Sequence, residues 1–265
     1  MTNYTARTGL HWVKQGLLLF RKQPGGLMAL FFCCLFLSMF ILLIPGGQLA
    51  VFVLMPLFSV ALLAGCQQAD QGQRVLPNLL LSGFRKPGRG PLLGLGALNV
   101  GVLLGAAAVI YLLSGDTLLR IAEHPDKIDP ALAQTMVVPM LIASAIYTIS
   151  WVLTCFAAPL VYWQKLTVGK ALFFSVVSVV RAFKPVFVAT VALHLMYFVS
   201  SNIVALLFGT SPLGMACIFS LLLLLIVLAH CTLYAAYREL FDQPQEQAAV
   251  DPDYPDQPDQ PAPPA

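Results

Sequence analysis

Charge is what this 265-residue chain has least of. Only 10% of its residues are Asp, Glu, Lys or Arg, and 58% are hydrophobic. Ordinary soluble domains carry about a quarter charged residues. The shortfall argues against a water-soluble enzyme, a disordered or collagen-like chain and a nucleic-acid-binding domain. Catalytic motifs are missing too: there is no HExxH, CxxC, GxSxG or phosphate-binding P-loop. Gly94-Leu95-Gly96 opens a dinucleotide-like pattern but lacks the third glycine. No carboxylate pair lies within an apolar run, as an intramembrane aspartyl protease would need. An enzyme is not expected, and no cofactor is implied.

What is present are long stretches without ionic side chains. Residues 23–69, 90–115, 130–164 and 185–237 contain no Asp, Glu, Lys or Arg. A charge at the bilayer centre costs about 2.5–3.5 kcal/mol even on the mildest insertion scale. A span needs about 20 apolar residues, so the first and last stretches are each long enough for two. Pro45-Gly46-Gly47 divides the first, and Gly209, Ser211, Pro212 and Gly214 divide the last. The spacing predicts an all-α, polytopic bundle of six spans, 27–44, 48–66, 91–113, 136–162, 185–208 and 213–236. None of these shows the alternation of a barrel strand, and hydrocarbon leaves the backbone no outside partner.

Thirteen of the fifteen Lys and Arg residues fall at one end of this hairpin series. They are Arg7, Lys14, Arg21 and Lys22; Arg74, Arg85, Lys86 and Arg89; Lys165, Lys170, Arg181 and Lys184; and Arg238. Only Arg120 and Lys127 fall at the other end. The positive-inside rule then places both termini in the cytoplasm of a cell with the protein in its inner membrane. The first 22 residues do not read as a cleavable signal, because the apolar run after Lys22 leads into a second span. All six cysteines (Cys33, Cys34, Cys66, Cys155, Cys217, Cys231) lie in spans, so no disulfide framework is expected.

A similar unit precedes each pair of spans: an apolar and basic stretch, a basic cluster, then proline. The copies end Phe20-Arg21-Lys22-Gln23-Pro24, Phe84-Arg85-Lys86-Pro87 and Arg181-Ala182-Phe183-Lys184-Pro185. In the first, Leu10, Val13, Leu17 and Phe20 oppose His11, Lys14, Gln15, Arg21 and Lys22, with Leu18 out of place. In the third, Leu172, Val176, Val179 and Phe183 oppose Lys170, Ser178 and Arg181. These read as interfacial amphipathic helices over 8–22 and 168–183, with the basic side on anionic headgroups. The chain becomes three hairpins, each with such an introduction. True repetition and the ordinary need for basic residues between spans both account for the pattern.

The run FAAPLVYWQKLTVGKALFFSVVSVVRAFKP (156–185) resembles a segment of several uncharacterised bacterial six-helix membrane families. It is distantly similar to the membrane domain that accompanies some glycerophosphodiester phosphodiesterases. KQGLLLFRKQP near the start and YAAYRELF near the end resemble an uncharacterised family of betaproteobacterial inner-membrane proteins, over roughly residues 8–242. The resemblance implies a fold and a location. The phosphodiesterase catalytic domain is absent, so its chemistry is not implied.

Ionisable groups inside spans are functional candidates by default. Two qualify: His194 and His230, about 15 Å and 12 Å deep when counted from Lys184 and Arg238 at 1.5 Å per residue. They are either a proton or ligand site, with Asn99 as a further polar contact, or neutral imidazoles bonded within the bundle. Asn99 and Asn202 also read as interhelical hydrogen-bond partners, and Ala97, Gly101 and Gly105 as a small-residue ladder favouring close helix approach, inside the protomer ahead of a homodimer. Asp116, Glu123, His124, Asp126 and Asp129 of loop 114–135 match no metal-ligand spacing, and no metal is expected. The Pro-, Gln- and Asp-rich tail, 242–265, reads as a disordered cytoplasmic extension. The function expected is non-enzymatic support of membrane or envelope organisation, with membrane lipids and a membrane-protein partner or second copy as partners. The alternative is a small-solute or lipid-handling transporter with a midplane site near His194 and His230.

Overall fold

The computed structural model describes residues 5–84, 88–123, 130–209 and 211–241. His124, Asp126, Asp129 and the tail lie outside them. Among the described residues all regular structure is helical: α1 (Ala6–Lys22), α2 (Pro24–Leu42), α3 (Gly47–Asp70), a 3-10 helix (Pro77–Phe84), α4 (Arg89–Glu123), α5 (Pro130–Thr154), α6 (Ala157–Gln164), α7 (Val168–Arg181), α8 (Phe183–Phe208) and α9 (Pro212–Phe241). Six helical stretches are long and apolar enough to cross a membrane, from Pro24–Leu42 to Pro212–Phe241. The fold is a polytopic all-α bundle.

The local sequence explains the boundaries. Pro24 starts α2 where its missing N–H costs nothing. The turn from α2 to α3 uses Gly46 at φ +79°, a conformation that disfavours any side chain. α4 bends at Ser114, whose φ of −149° interrupts the helix one residue beyond the expected span end. The fourth expected span, 136–162, is two helices. Pro159 has no N–H to offer the Cys155 carbonyl and its ring crowds that group. The chain breaks at residues 155–156, and fully buried Ser175 of α7 repairs it. Its hydroxyl donates to the Leu153 carbonyl at 2.7 Å and accepts from the Phe156 N–H at 3.2 Å.

α3 runs through the centre, against α2, α4, α9 and the 3-10 helix, and α1 lies across α8 and α9. The expected apolar face of α1 needs correction. The buried residues are Gly9, Trp12, Val13, Gly16 and Leu19, while Leu10 is 55% exposed. A Cβ on Gly16 would stand 2.8 Å from the Thr232 backbone nitrogen, and one on Gly9 would run into the Pro185 carbonyl. The glycines are what let this helix seat so closely. α7 departs in the same way: Ala171, Ser175 and Val179 are buried, and Phe183, just beyond its end, is exposed. Hydropathy misplaces both faces because lipid is as apolar as leucine, so small residues mark helix contacts and large ones face outward.

The core gathers toward the basic end. It contains Trp12 and Val13, Leu57 and Val60 of α3, Leu92 and Leu95 of α4, Phe156–Val161, and Leu228, Ala236 and Tyr237 of α9. A second cluster joins Leu27 and Leu30 of α2 to Leu63, Cys66, Val227 and Cys231. Toward the other end the helices expose large apolar side chains, among them Phe40, Leu104, Leu112, Leu141, Phe198 and Leu206.

Candidate functional site

The basic end holds a polar constellation tying helix ends together. Asp70, at the last position of α3, accepts Lys22 Nζ at 2.9 Å and also pairs with Arg238 of α9. Lys22 Nζ reaches the Asp70 carbonyl as well, at 3.2 Å. Cations at the C-terminal end of a helix also meet its exposed carbonyls favourably. Glu239 accepts the indole N–H of buried Trp12 at 2.6 Å. Trp163 Nε1 donates to Gln67 Oε1 at 3.1 Å, and its ring lies 4.7 Å from that of Tyr237. Gln23, between α1 and α2, accepts the Val75 N–H at 2.9 Å and so holds the chain leaving α3. Under this layer the Cys66 thiol donates to Cys231 Sγ at 3.5 Å; both are free thiols.

Sequence reasoning missed these groups, although a signal for two of them exists. Before residue 242, Asp70 and Glu239 are the only carboxylates placed among the basic clusters. A lone acid in a basic stretch has a partner to find. Both are occupied here, by Lys22 and Arg238 in one case and Trp12 in the other. Arg7, Lys14, Arg21, Arg74, Arg89, Lys165, Lys170, Arg181 and Lys184 are all exposed, and among the described residues none of them makes an ion pair. The result is a rigid end carrying uncompensated positive charge.

The residues singled out from sequence stand elsewhere. His194 on α8 is exposed, with Nδ1 2.8 Å from the Thr190 carbonyl. His230 on α9 is partly buried and makes the same contact, 2.8 Å, with Ile226. Each imidazole is therefore bonded to its own helix, one turn back. Asn99 lines a shallow cleft between α4 and α5 with Leu98, Val102, Tyr147, Ser150, Trp151 and Thr154, and neither histidine lines it. Gly101 and Gly105 have nothing within 4 Å of where a Cβ would be, so the small-residue ladder expected inside the protomer faces outward. The helix that Gly96 lets close on α4 is α3, at the Val53 carbonyl. Of the loop carboxylates, Asp116 is exposed and Glu123 ends α4. Among the described residues no three His, Cys, Asp or Glu side chains converge.

Over 253 residues the chain is 33% identical to a Burkholderia thailandensis protein described as a "probable inner membrane protein", a match covering 89% of this chain and 92% of the relative. The chain belongs to that protein's family. It is a multi-pass inner-membrane protein, as its six apolar helices require. No family model matches it. No solved structure matches it.

Proposed function

We propose that this family member is a non-enzymatic scaffold that organises the inner membrane by holding anionic lipid headgroups at its basic end. The observation that carries the reading is the set of nine cations, exposed and unpaired among the described residues, on a tightly packed base whose two carboxylates are already engaged. On α1 the cations form one stripe: Arg7, Lys14 and Arg21 recur every seven residues on the face away from α8 and α9. Exposed Leu10 and Leu18 flank them, an arrangement suited to lying in the headgroup layer. Each Lys or Arg near an anionic leaflet contributes about 1 kcal/mol of attraction. By the positive-inside rule the same charges support a reading with both termini in the cytoplasm. A betaproteobacterial lineage, distantly similar to the membrane domain beside some phosphodiesterases, is part of the same reading.

Purification in a mild detergent, followed by mass spectrometry of the retained lipid, tests this. Anionic phospholipid should be enriched over the source membrane, and the combined Arg7→Gln, Lys14→Gln and Arg21→Gln variant should lose much of the enrichment. Retained lipid of the same composition as the membrane overturns the proposal. Orientation has its own test: a cysteine replacing His124 should react with an impermeant maleimide added outside intact spheroplasts.

A further inference from the structure

α8 lays one face on its neighbours, burying Pro185, Ala189 and Leu193, and leaves the opposite face uncovered. On that open face Phe187, Val191, His194 and Phe198 are all exposed. A wholly apolar face would simply meet lipid, but this one carries a histidine at membrane depth. His194 lies ten residues beyond Lys184, about 15 Å along the helix and so near the middle of a hydrocarbon layer about 30 Å thick. Its contact with the Thr190 carbonyl requires the proton on Nδ1, since a carbonyl only accepts. Nε2 is left as a bare acceptor. Exposed Asn202 donates one amide hydrogen to the Phe198 carbonyl at 2.7 Å, leaving its Oδ1 and second N–H without a partner among the described residues. The neighbouring hydroxyls differ: Thr190, Ser200 and Ser201 each donate to their own helix. Lipid tails supply neither donor nor acceptor, so something polar must cover His194. Asn202, eighteen residues beyond Lys184 and so about 27 Å along the helix, stands near the far edge of the hydrocarbon layer.

We infer that this face of α8 is the contact with a second copy of the chain. A twofold axis along the membrane normal brings each position opposite its own counterpart at the same depth. Asn202 suits such an arrangement, because its free N–H and free Oδ1 let two copies satisfy each other. Two His194 Nε2 acceptors can share one bridging water, which donates to both. Exposed positions 187, 191, 194, 198 and 205, with half-buried Ser201 between the last two, step by four and three, the spacing that keeps one helix facing another. The inference rests on α8 spanning the membrane and is independent of the lipid reading above.

The test uses the full chain with its six native cysteines replaced by alanine, kept in membranes. Single cysteines are placed at Val191 or Phe198 on the proposed face and at Ile203 on the other exposed side. Oxidation should give a disulfide-linked band at twice the 28.7 kDa chain mass for V191C and F198C, and little for I203C. Adding N202L should reduce the F198C band. Equal linking at all three positions would reveal random collision and overturn the inference. So would labelling of F198C by an impermeant aqueous maleimide, because water would then cover the face. The unaltered protein in nanodiscs gives an independent reading by native mass spectrometry, where a single copy also overturns it.

Discussion

α3 and α8 are both membrane helices, with window mean hydropathies of 2.5 and 1.9, yet 56% of the α3 window is buried inside the protein and only 6% of the α8 window. The difference follows from which residues sit where. α3 presents Ala61, Ala64 and Gly65 among its leucines, and six elements close around it. α8 turns Phe187, Phe198, Leu206 and Leu207 outward. The contrast extends to the two ends of the molecule. The basic end is fastened by backbone-close glycines, a buried serine bridge and ion pairs, whereas toward the far end α4 packs on α5 and α8 on α9 and the helices are clad in exposed large apolar side chains. In hydrocarbon the hydrophobic effect does not pull helices together, so packing and polar contacts decide which part is rigid.

The sharpest way to break the contrast is to unseat α1. Gly16→Leu forces a side chain against the Thr232 backbone, which cannot swing aside as a flexible side chain would. Overpacking of this kind costs about 3 kcal/mol or more, a drop of roughly 6–12 °C in melting temperature for a chain this size. Tryptophan fluorescence on heating in detergent should show it. Gly25→Leu, on α2 with nothing within 4 Å, is the control and should melt close to the parent.

The break between α5 and α6 comes next. Ser175→Ala removes the hydroxyl serving both Leu153 and Phe156 and strands two backbone groups in a buried place. The expected loss is about 1–3 kcal/mol. Hydrogen exchange should rise at residues 152–158 ahead of the rest of the core. If exchange there matches the parent, the serine is not what holds the break.

Smaller again is Asp70→Asn. The clasp joins α1, α3 and α9, but Lys22 and Arg238 are each about half exposed, at 48% and 54%. Exposed pairs contribute about 1 kcal/mol or less, and salt screens them. The variant should lose a few degrees at low ionic strength and converge on the parent in high salt. A loss that salt leaves untouched would mean Asp70 acts through packing instead.

These experiments fall where sequence reasoning was weakest. The number of spans follows from charge-free runs, because the cost of an ion in oil is large and independent of tertiary detail. The face of α1 does not follow, since Gly9 and Gly16 carry no hydropathy signal and Leu10 carries the wrong one. Ser175 is unremarkable in its run of apolar residues, and only the break at Pro159 gives it a task. In the same way His194, His230 and Asn99 are conspicuous for being polar in a span, but composition says nothing of whether helices bring them together. Two are bonded to their own helices and the third belongs to another cleft. The Asp70 clasp needs three chain segments to meet, with Lys22 48 residues and Arg238 168 residues away from Asp70.

The smallest expected effect is also the most discriminating. Gly101→Leu adds a large side chain on α4 where nothing lies within 4 Å. It sits on the uncovered side of the far half, so the fold of a single chain should not register it. Gly-to-Leu also improves helix propensity, by roughly 0.8 kcal/mol in an exposed helix. Melting temperature should therefore hold or rise slightly, in contrast to Gly16→Leu in the same assay. A marked loss would mean that α4, like α1, is closely seated against another helix. Among the described residues nothing lies there, so a helix of another chain would fill that place and the far half would owe its order to a partner.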